Sequence, residues 1–383
     1  MKKICFVTTI YLTYHSFLEE LSRFLIEGGE YDVSLICNPE PDIEERLPQG
    51  VHYFPVKMER GVSLSAVSAI RQIEKIVKKQ KFDIVQYSTP NAAFYTSIAT
   101  KRANIPVRLY CQWGIRYMGF EGWKRSLFKY LEKKTCVNST YIEAESHNIR
   151  DFSLSEGLYD EENSSVIWNG SACGVDLTKF DIKKRALWRN EIRAQYTIAD
   201  DDVVFAFAAR LTADKGINEL LEAFINLNHR WENVKLLVMG RMDNKGSLNQ
   251  ELLKAAEKSE QIVFTGNVEN IERYYAAADV FVAPSYREGF GLVVVEAEAM
   301  GLPAVVSDVP GQIDAIIPNQ TGLSCTVKDV ATLEAAMEQL LTDSELREKM
   351  GKAAAEFAER DFEQKRLFGF LKQHRDELIK EKN

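Results

Sequence analysis

The sequence predicts an α/β protein built on two doubly wound parallel sheets. Short apolar runs alternate with amphipathic helical stretches, and the alternation starts afresh after a glycine-bearing segment at 168–180. A chain of 383 residues also exceeds what one hydrophobic core ordinarily serves.

In the first half, KICFVTT at 3–9 reads as a strand, 16–27 as a helix, 31–37 as a strand and 63–80 as a helix. Strand 82–88, helix 91–103, strand 106–111 and a helix around 122–136 follow. In the second half, strands at 203–208, 234–239, 262–265, 279–283 and 303–307 alternate with helices near 216–229, 247–258, 270–277, 292–300 and 330–341. The stretch 345–383 is helical and charged. Gly170 and Gly174 loosen the chain between Trp168 and Phe180, which marks the expected hinge. Domains are therefore expected at 1–170 and 171–361. Ligands of such sheets gather at the carboxyl ends of the strands, here in a cleft between the domains.

Apolar residues make up 45% of the chain, which excludes disorder, and a net charge of −8 argues against nucleic acid as the main ligand. Lys plus Arg balances Asp plus Glu at 21 each through residue 170, so the acidic excess, 27 against 35, belongs to the second half. Six scattered cysteines form no C-x-x-C, and no apolar run approaches the roughly 18–20 residues of a spanning helix, so a cytoplasmic protein is expected. Five histidines show no metal-ligand spacing. The Asp-x-Asp within ADDD at 199–202 reads as a solvated acidic turn rather than a metal site.

Residues 283–311, APSYREGFGLVVVEAEAMGLPAVVSDVPG, carry the strongest chemical signal. Ala283-Pro284-Ser285 closes an apolar strand, Gly289 and Gly291 allow a sharp turn and close approach of a ligand, and a helix opens at Leu292 until Gly301 and Pro303 stop it. The free N–H groups and dipole of that helix point back into the glycine loop and favour an anion there. Glu288 and Glu296 bracket the turn at a spacing suited to accepting hydrogen bonds from sugar hydroxyls. AARLTADKG at 208–216 adds Arg210 at a strand end and Lys215 before a helix, cations suited to a diphosphate leaving group. A plain dinucleotide-binding dehydrogenase does not fit, because IYLTYHSF follows the first strand without the required glycines.

Together these segments resemble the signature of retaining, nucleotide-sugar-dependent glycosyltransferases of the GT-B fold, glycosyltransferase family 4: two glutamates separated by seven residues, preceded by an R-L-x-x-x-K-G run. NGSACGVDLTKF at 169–180 resembles the opening of the donor domain, with wording similar to bacterial polysaccharide-assembly enzymes. The resemblance implies two Rossmann-like domains, an acceptor-binding N-terminal one and a nucleotide-sugar-binding C-terminal one, with about 362–383 crossing back to the first. It implies that Arg210 and Lys215 neutralise the diphosphate, Glu288 contacts the donor sugar, Glu296 binds the ribose, and the backbone at Gly289, Phe290, Gly291 and Leu292 lies along sugar and phosphate. Ser285 belongs to the same donor loop, and the base is expected to rest near Thr265 to Val268. No metal or cofactor is implied beyond the donor. The implied reaction moves a hexose or N-acetylhexosamine, expected to be UDP-linked with GDP as the other base, to a lipid-linked or growing surface polysaccharide. The alternatives are a soluble-acceptor transferase of sucrose, trehalose or glycogen type and a catalytically silent sugar-nucleotide binder.

Three features depart from the family pattern, the mildest being Ala209-Arg210-Leu211 where relatives have Gly-Arg-Leu. Thr9-Ile10-Tyr11 stands where many relatives carry a Gly-Gly pair, and Gln112-Trp113 where relatives often place a histidine. Thr9, His15, Gln112 and Trp113 are accordingly the expected acceptor-side residues, with Glu19 and the loop Thr9 to His15 as neighbours. GWKRSLFKYLEKK at 122–134 sets Trp123, Leu127 and Leu131 on one stripe amid Lys124, Arg125, Lys129, Lys133 and Lys134, which suits peripheral contact with an anionic membrane.

Overall fold

The computed structural model describes residues 1–59, 65–242, 246 and 248–382. The chain divides into two compact units, Met1–Cys173 with Lys365–Asn383, and Gly174–Gln364.

The first unit holds β1 (Lys2–Val7), β2 (Tyr31–Cys37), β3 (Val51–Pro55), β4 (Ile84–Tyr87), β5 (Val107–Gln112), β6 (Tyr141–Ala144) and β7 (Ser164–Ser165). They form one parallel sheet in the order β3-β2-β1-β4-β5-β6-β7. The second unit holds β8 (Val203–Ala208), β9 (Val234–Met239), β10 (Ile262–Gly266), β11 (Val280–Ala283), β12 (Ala304–Ser307) and β13 (Gly322–Cys325), in the parallel order β10-β9-β8-β11-β12-β13. Both orders reverse direction once, between β1 and β4 and between β8 and β11. Such switch points open a crevice at the carboxyl ends of the strands.

The central strands of the second sheet, β8 and β11, are continuous apolar runs because helices cover both faces of a parallel sheet. In VVFAFA of β8, Phe205 and Phe207 enter one core layer while Val204, Ala206 and Ala208 enter the layer on the opposite face. Four strands escape the periodic reading. β6, β7 and β13 are two to four residues long and β3 is a half-exposed edge strand ending in Pro55. Three helices, Ile43–Arg46, His147–Ser155 and Arg185–Gln195, were also unexpected. The expected helix at 16–27 is two helices, Tyr11–Phe17 and Glu19–Glu27, broken at Leu18, so the expected loop Thr9 to His15 is largely helical. The helices expected at 63–80 and 247–258 are observed as Ser65–Gln80 and Gln250–Lys258; residues 63, 64 and 247 lie outside the described residues.

Gly174, at φ +65°, backs onto Phe362 and Gln364; a Cβ there would sit 2.7 Å from the Phe362 carbonyl oxygen. Val175 N–H donates to the Phe362 carbonyl and Gln364 N–H to the Val175 carbonyl, so the outgoing and returning segments of the chain run side by side.

Candidate active site

In the second unit, three neighbouring strand ends build one site. The loop after β8 closes in a single 3₁₀ turn, Ala213–Lys215, and Gly216 at φ +71° then caps the helix Ile217–Asn228. A Cβ at Gly216 would meet the Pro284 carbonyl oxygen at 2.0 Å, so only glycine lets this loop press against the one after β11. The clamp is reinforced by the Tyr286 N–H donating to the Asp214 carbonyl (2.9 Å) and by Arg287 pairing with the Asp214 carboxylate (3.2 Å). Burial alone would raise the Asp214 carboxyl, but the Thr212 hydroxyl and then Arg287, Lys215 and Arg210 hold it below its usual range. From the other side, Gly311 at φ +88° lies under the turn, where a Cβ would be 2.5 Å from the Gly289 carbonyl oxygen, and the Gln312 amide donates to the Ala283 carbonyl.

This framing brings together two residues 73 positions apart: Lys215 Nζ lies 2.6 Å from Glu288 Oε1, both partly buried. Arg210 stands at the start of the same loop, two residues past β8, with an exposed side chain. Gly291 at φ +86° caps the helix Leu292–Ala299, whose first N–H groups open toward the glycine turn. Glu296, on the second turn of that helix, is partly exposed. Burial pushes its carboxyl up to about 7, with Glu272 adding to the effect and Lys179 opposing it. Ser285 is buried, and Leu292 and Val268 are partly buried. The Phe290 side chain is core, packed 5.1 Å from Phe362, which leaves only its backbone for a ligand. Asp214, Tyr286, Arg287, Gly311 and Gln312 went unnoticed in the sequence because their roles depend on strand adjacency.

In the first unit, Thr9 follows β1 and Thr89 follows β4, and their hydroxyls meet at 2.9 Å across the switch point. Thr89 holds φ 63°, ψ 136°, an uncommon conformation for a β-branched residue, just ahead of Pro90. His15 is exposed; its Nδ1 lies 2.8 Å from Glu19, which also pairs with Arg23. Trp113 packs on Phe17 at 5.1 Å. Gln112 overturns the expectation of an acceptor-facing amide. It is fully buried, donates to Glu132 (2.8 Å) and accepts from Ser153 (3.0 Å) and Tyr159 (2.9 Å), so its polar capacity is spent inside the unit. The polar network places Gln112 inward because β5 ends on that parity.

Among the described residues no group of three or more His, Cys, Asp or Glu side chains gathers as a metal site, and no helix is long and apolar enough to cross a membrane. All six cysteines are buried.

Two parallel Rossmann-like sheets of this topology define the GT-B fold. The structure aligns over 98% of the chain with 99% of the Anabaena protein HepE in complex with UDP and glucose, at TM-score 0.76 and 18% identity. Residues 3–146 match the family described as glycosyl transferase 4-like, and residues 189–357 match glycosyl transferases group 1. Over 351 residues the chain is 26% identical to the capsular polysaccharide biosynthesis glycosyltransferase CapM of Staphylococcus aureus, covering 91% of each. It is also 27% identical over 298 residues, 75% of each chain, to the N,N'-diacetylbacillosaminyl-diphospho-undecaprenol alpha-1,3-N-acetylgalactosaminyltransferase of Campylobacter jejuni. The protein is a glycosyltransferase of GT-B fold, carrying a 4-like domain followed by a group 1 domain.

Proposed function

We propose that the enzyme transfers a hexose or N-acetylhexosamine, with retention, from a UDP-sugar to a hydroxyl of a lipid-linked saccharide intermediate of a surface polysaccharide. The observation that carries this reading is the Lys215–Glu288 pair at the switch point of the second unit, facing a glycine-capped helix that holds Glu296 behind it. Arg210, Lys215 and the helix N-terminus offset the charge that grows on the departing diphosphate. Glu288, steered by Lys215, accepts hydrogen bonds from the donor sugar, and Glu296 accepts from the ribose. The acceptor oxygen bonds to the anomeric carbon on the face the diphosphate leaves as the bond to the phosphate oxygen breaks. That phosphate oxygen takes the acceptor proton. UDP as the base is supported by the HepE complex, and the acceptor class by CapM and the Campylobacter enzyme.

Transfer from UDP-sugars by the wild type, Lys215→Ala and Glu288→Ala checks the reading. Each variant should lose on the order of 10²–10³-fold in kcat while still folding. Turnover unchanged in both variants overturns the assignment, and nucleotide binding without turnover in the wild type favours the silent binder.

The acceptor reading also gives the helix Gly122–Asn138 a role as a membrane-facing element. Trp123 is 71% and Tyr130 57% exposed, and Leu127 and Val137 complete the outward stripe beside Lys124, Lys133 and Lys134. Arg125 and Lys129 pair with Glu156 at 3.1 and 2.7 Å, so neutralising them tests the membrane poorly. Replacing Lys124 and Lys134 together should weaken binding to vesicles containing phosphatidylserine by about 1 kcal/mol per charge. Binding unaffected by both changes removes the membrane role.

A further inference from the structure

Under the same helix lies a cavity of about 180 Å³ that the proposed chemistry of the second unit does not use. Pro90, Phe94, Tyr95, Phe128 and Leu131 wall it, and Glu132 lies at its polar end. All belong to the first unit, on the helices that follow β4 and β5, so the cavity lies toward the carboxyl ends of the strands where such sheets take their ligands. Phe128, Leu131, Glu132 and Thr135 follow the i, i+3, i+4, i+7 pattern that puts them on one face of the helix. Leu131 neighbours Leu127 one turn away, and Leu127 belongs to the exposed stripe with Trp123 and Tyr130. Leu127 and Leu131 thus connect the exposed stripe of the helix to the cavity wall.

Two charged side chains in the lining, Arg116 and Glu132, limit what fits. Arg116 holds its guanidinium 4.3 Å from the Phe128 ring centroid, placing a cation beside the apolar wall. Glu132 is more than nine-tenths buried, and its Oε1 accepts from Tyr110 (2.7 Å) and Gln112 (2.8 Å). Burial raises its carboxyl, and the hydrogen bonds from Gln112 and Tyr110 oppose that rise. A hydrocarbon joined to an anionic head matches an apolar chamber with a cation at its wall. An apolar cavity of roughly 150 Å³ suffices for a benzene-sized group, so this one takes a short segment of chain and not a whole lipid.

We infer that this cavity seats the head-proximal segment of the isoprenoid chain of a lipid diphosphate acceptor, with Arg116 beside the diphosphate. The inference rests on the lipid-linked acceptor reading above and extends it to a binding site.

Titration of the full-length protein with inorganic diphosphate, geranyl diphosphate and farnesyl diphosphate tests it, read by calorimetry. Affinity should rise at least tenfold from diphosphate to geranyl diphosphate and then flatten. Leu131→Trp and Ala66→Phe, which fill the cavity from partly exposed lining positions, should abolish that rise and leave UDP binding intact. Trp123→Ser should keep it. Equal affinity for all three ligands overturns the inference, as does a rise that survives both filling variants or is lost only in Trp123→Ser, since the chain then lies on the outer face. Should neither filling variant fold, the wild-type series compared with Trp123→Ser decides. Transfer assays keep the two proposals apart. Sugar transfer to lipid-linked acceptors that ignores chain length and cavity filling retains the function and removes the cavity site. Chain-dependent binding without any transfer retains the site and removes the function.

Discussion

Glu296 and Glu298 stand two positions apart on the helix Leu292–Ala299, which turns them to nearly opposite sides, and each meets a different environment. Glu296 keeps some solvent contact while burial brings its carboxyl to about 7. As the proposed ribose acceptor it works best ionised, so UDP binding should tighten as pH rises through about 7, and Glu296→Gln should flatten that profile. Calorimetric Kd values for UDP between pH 5.5 and 8.5 check this, and a slope retained in the glutamine variant would exclude Glu296 as its source. Glu298 is fully buried, and burial raises it well above the usual carboxylate range; the Thr321 hydroxyl opposes this only weakly, since neither carboxyl oxygen reaches hydrogen-bond geometry with a partner among the described residues. A carboxyl whose folded pKa exceeds its unfolded one gives full stability below the unfolded value and loses it as pH rises toward the folded one. Glu298→Met should therefore stabilise the protein, and the gain in Tm should be larger at pH 8 than at pH 5. A gain independent of pH would mean that packing, not ionisation, is what changed.

At the scale of elements, the site depends on how closely neighbouring loops approach. Gly311→Ala forces a left-handed residue, costing roughly 1–2 kcal/mol, and drives a methyl against the carbonyls of Gly289 and Glu288. Gly29→Ala carries a similar φ, +72°, with nothing within 4 Å, and isolates the backbone cost. Both variants should lose stability, but Gly311→Ala alone should lower kcat, measured at saturating donor and acceptor. This closeness also explains what the sequence shows and what it hides. Glu288, Gly289, Gly291 and Glu296 lie within nine residues, so local spacing reveals them. The Lys215 partner of Glu288 is distant in sequence and becomes its neighbour only because β8 and β11 pair. β8 announces itself as a six-residue apolar run and β9 as one interrupted only by Lys235, whereas β7 has two residues and no pattern to read. The inward turn of Gln112 is set by strand parity and by Glu132, Ser153 and Tyr159, none of which a local window joins to it.

At the scale of the whole molecule, the chain leaves its first unit at Cys173 and returns to it at Lys365, so the first unit closes only when its final helix, Gln364–Lys382, docks. Arg375 anchors that docking. It is 1% exposed and binds Glu143 at 2.8 and 3.1 Å and the Gln86 side-chain oxygen at 2.9 and 3.2 Å. These partners lie on β6 and β4, so one guanidinium ties the last helix to two strands of the sheet. Burial alone would raise the Glu143 carboxyl, but Arg375 and His374 outweigh it and bring it to about 2. A folded pKa below the unfolded 4.5 means the contribution is complete above about pH 4.5 and is lost as pH falls toward 2. Removing only the arginine leaves Glu143 buried with His374, a loss that costs about 3–5 kcal/mol, whereas removing both charges costs less because no ion is stranded. Arg375→Ala should therefore lower the unfolding midpoint of the first unit sharply, and Arg375→Leu with Glu143→Leu should recover much of it. UDP binding by the second unit should persist in both. Denaturant unfolding followed by the tryptophans of the first unit, alongside UDP titration, checks this; equal destabilisation by the single and double variants would show that Arg375 acts through packing and not through its charge.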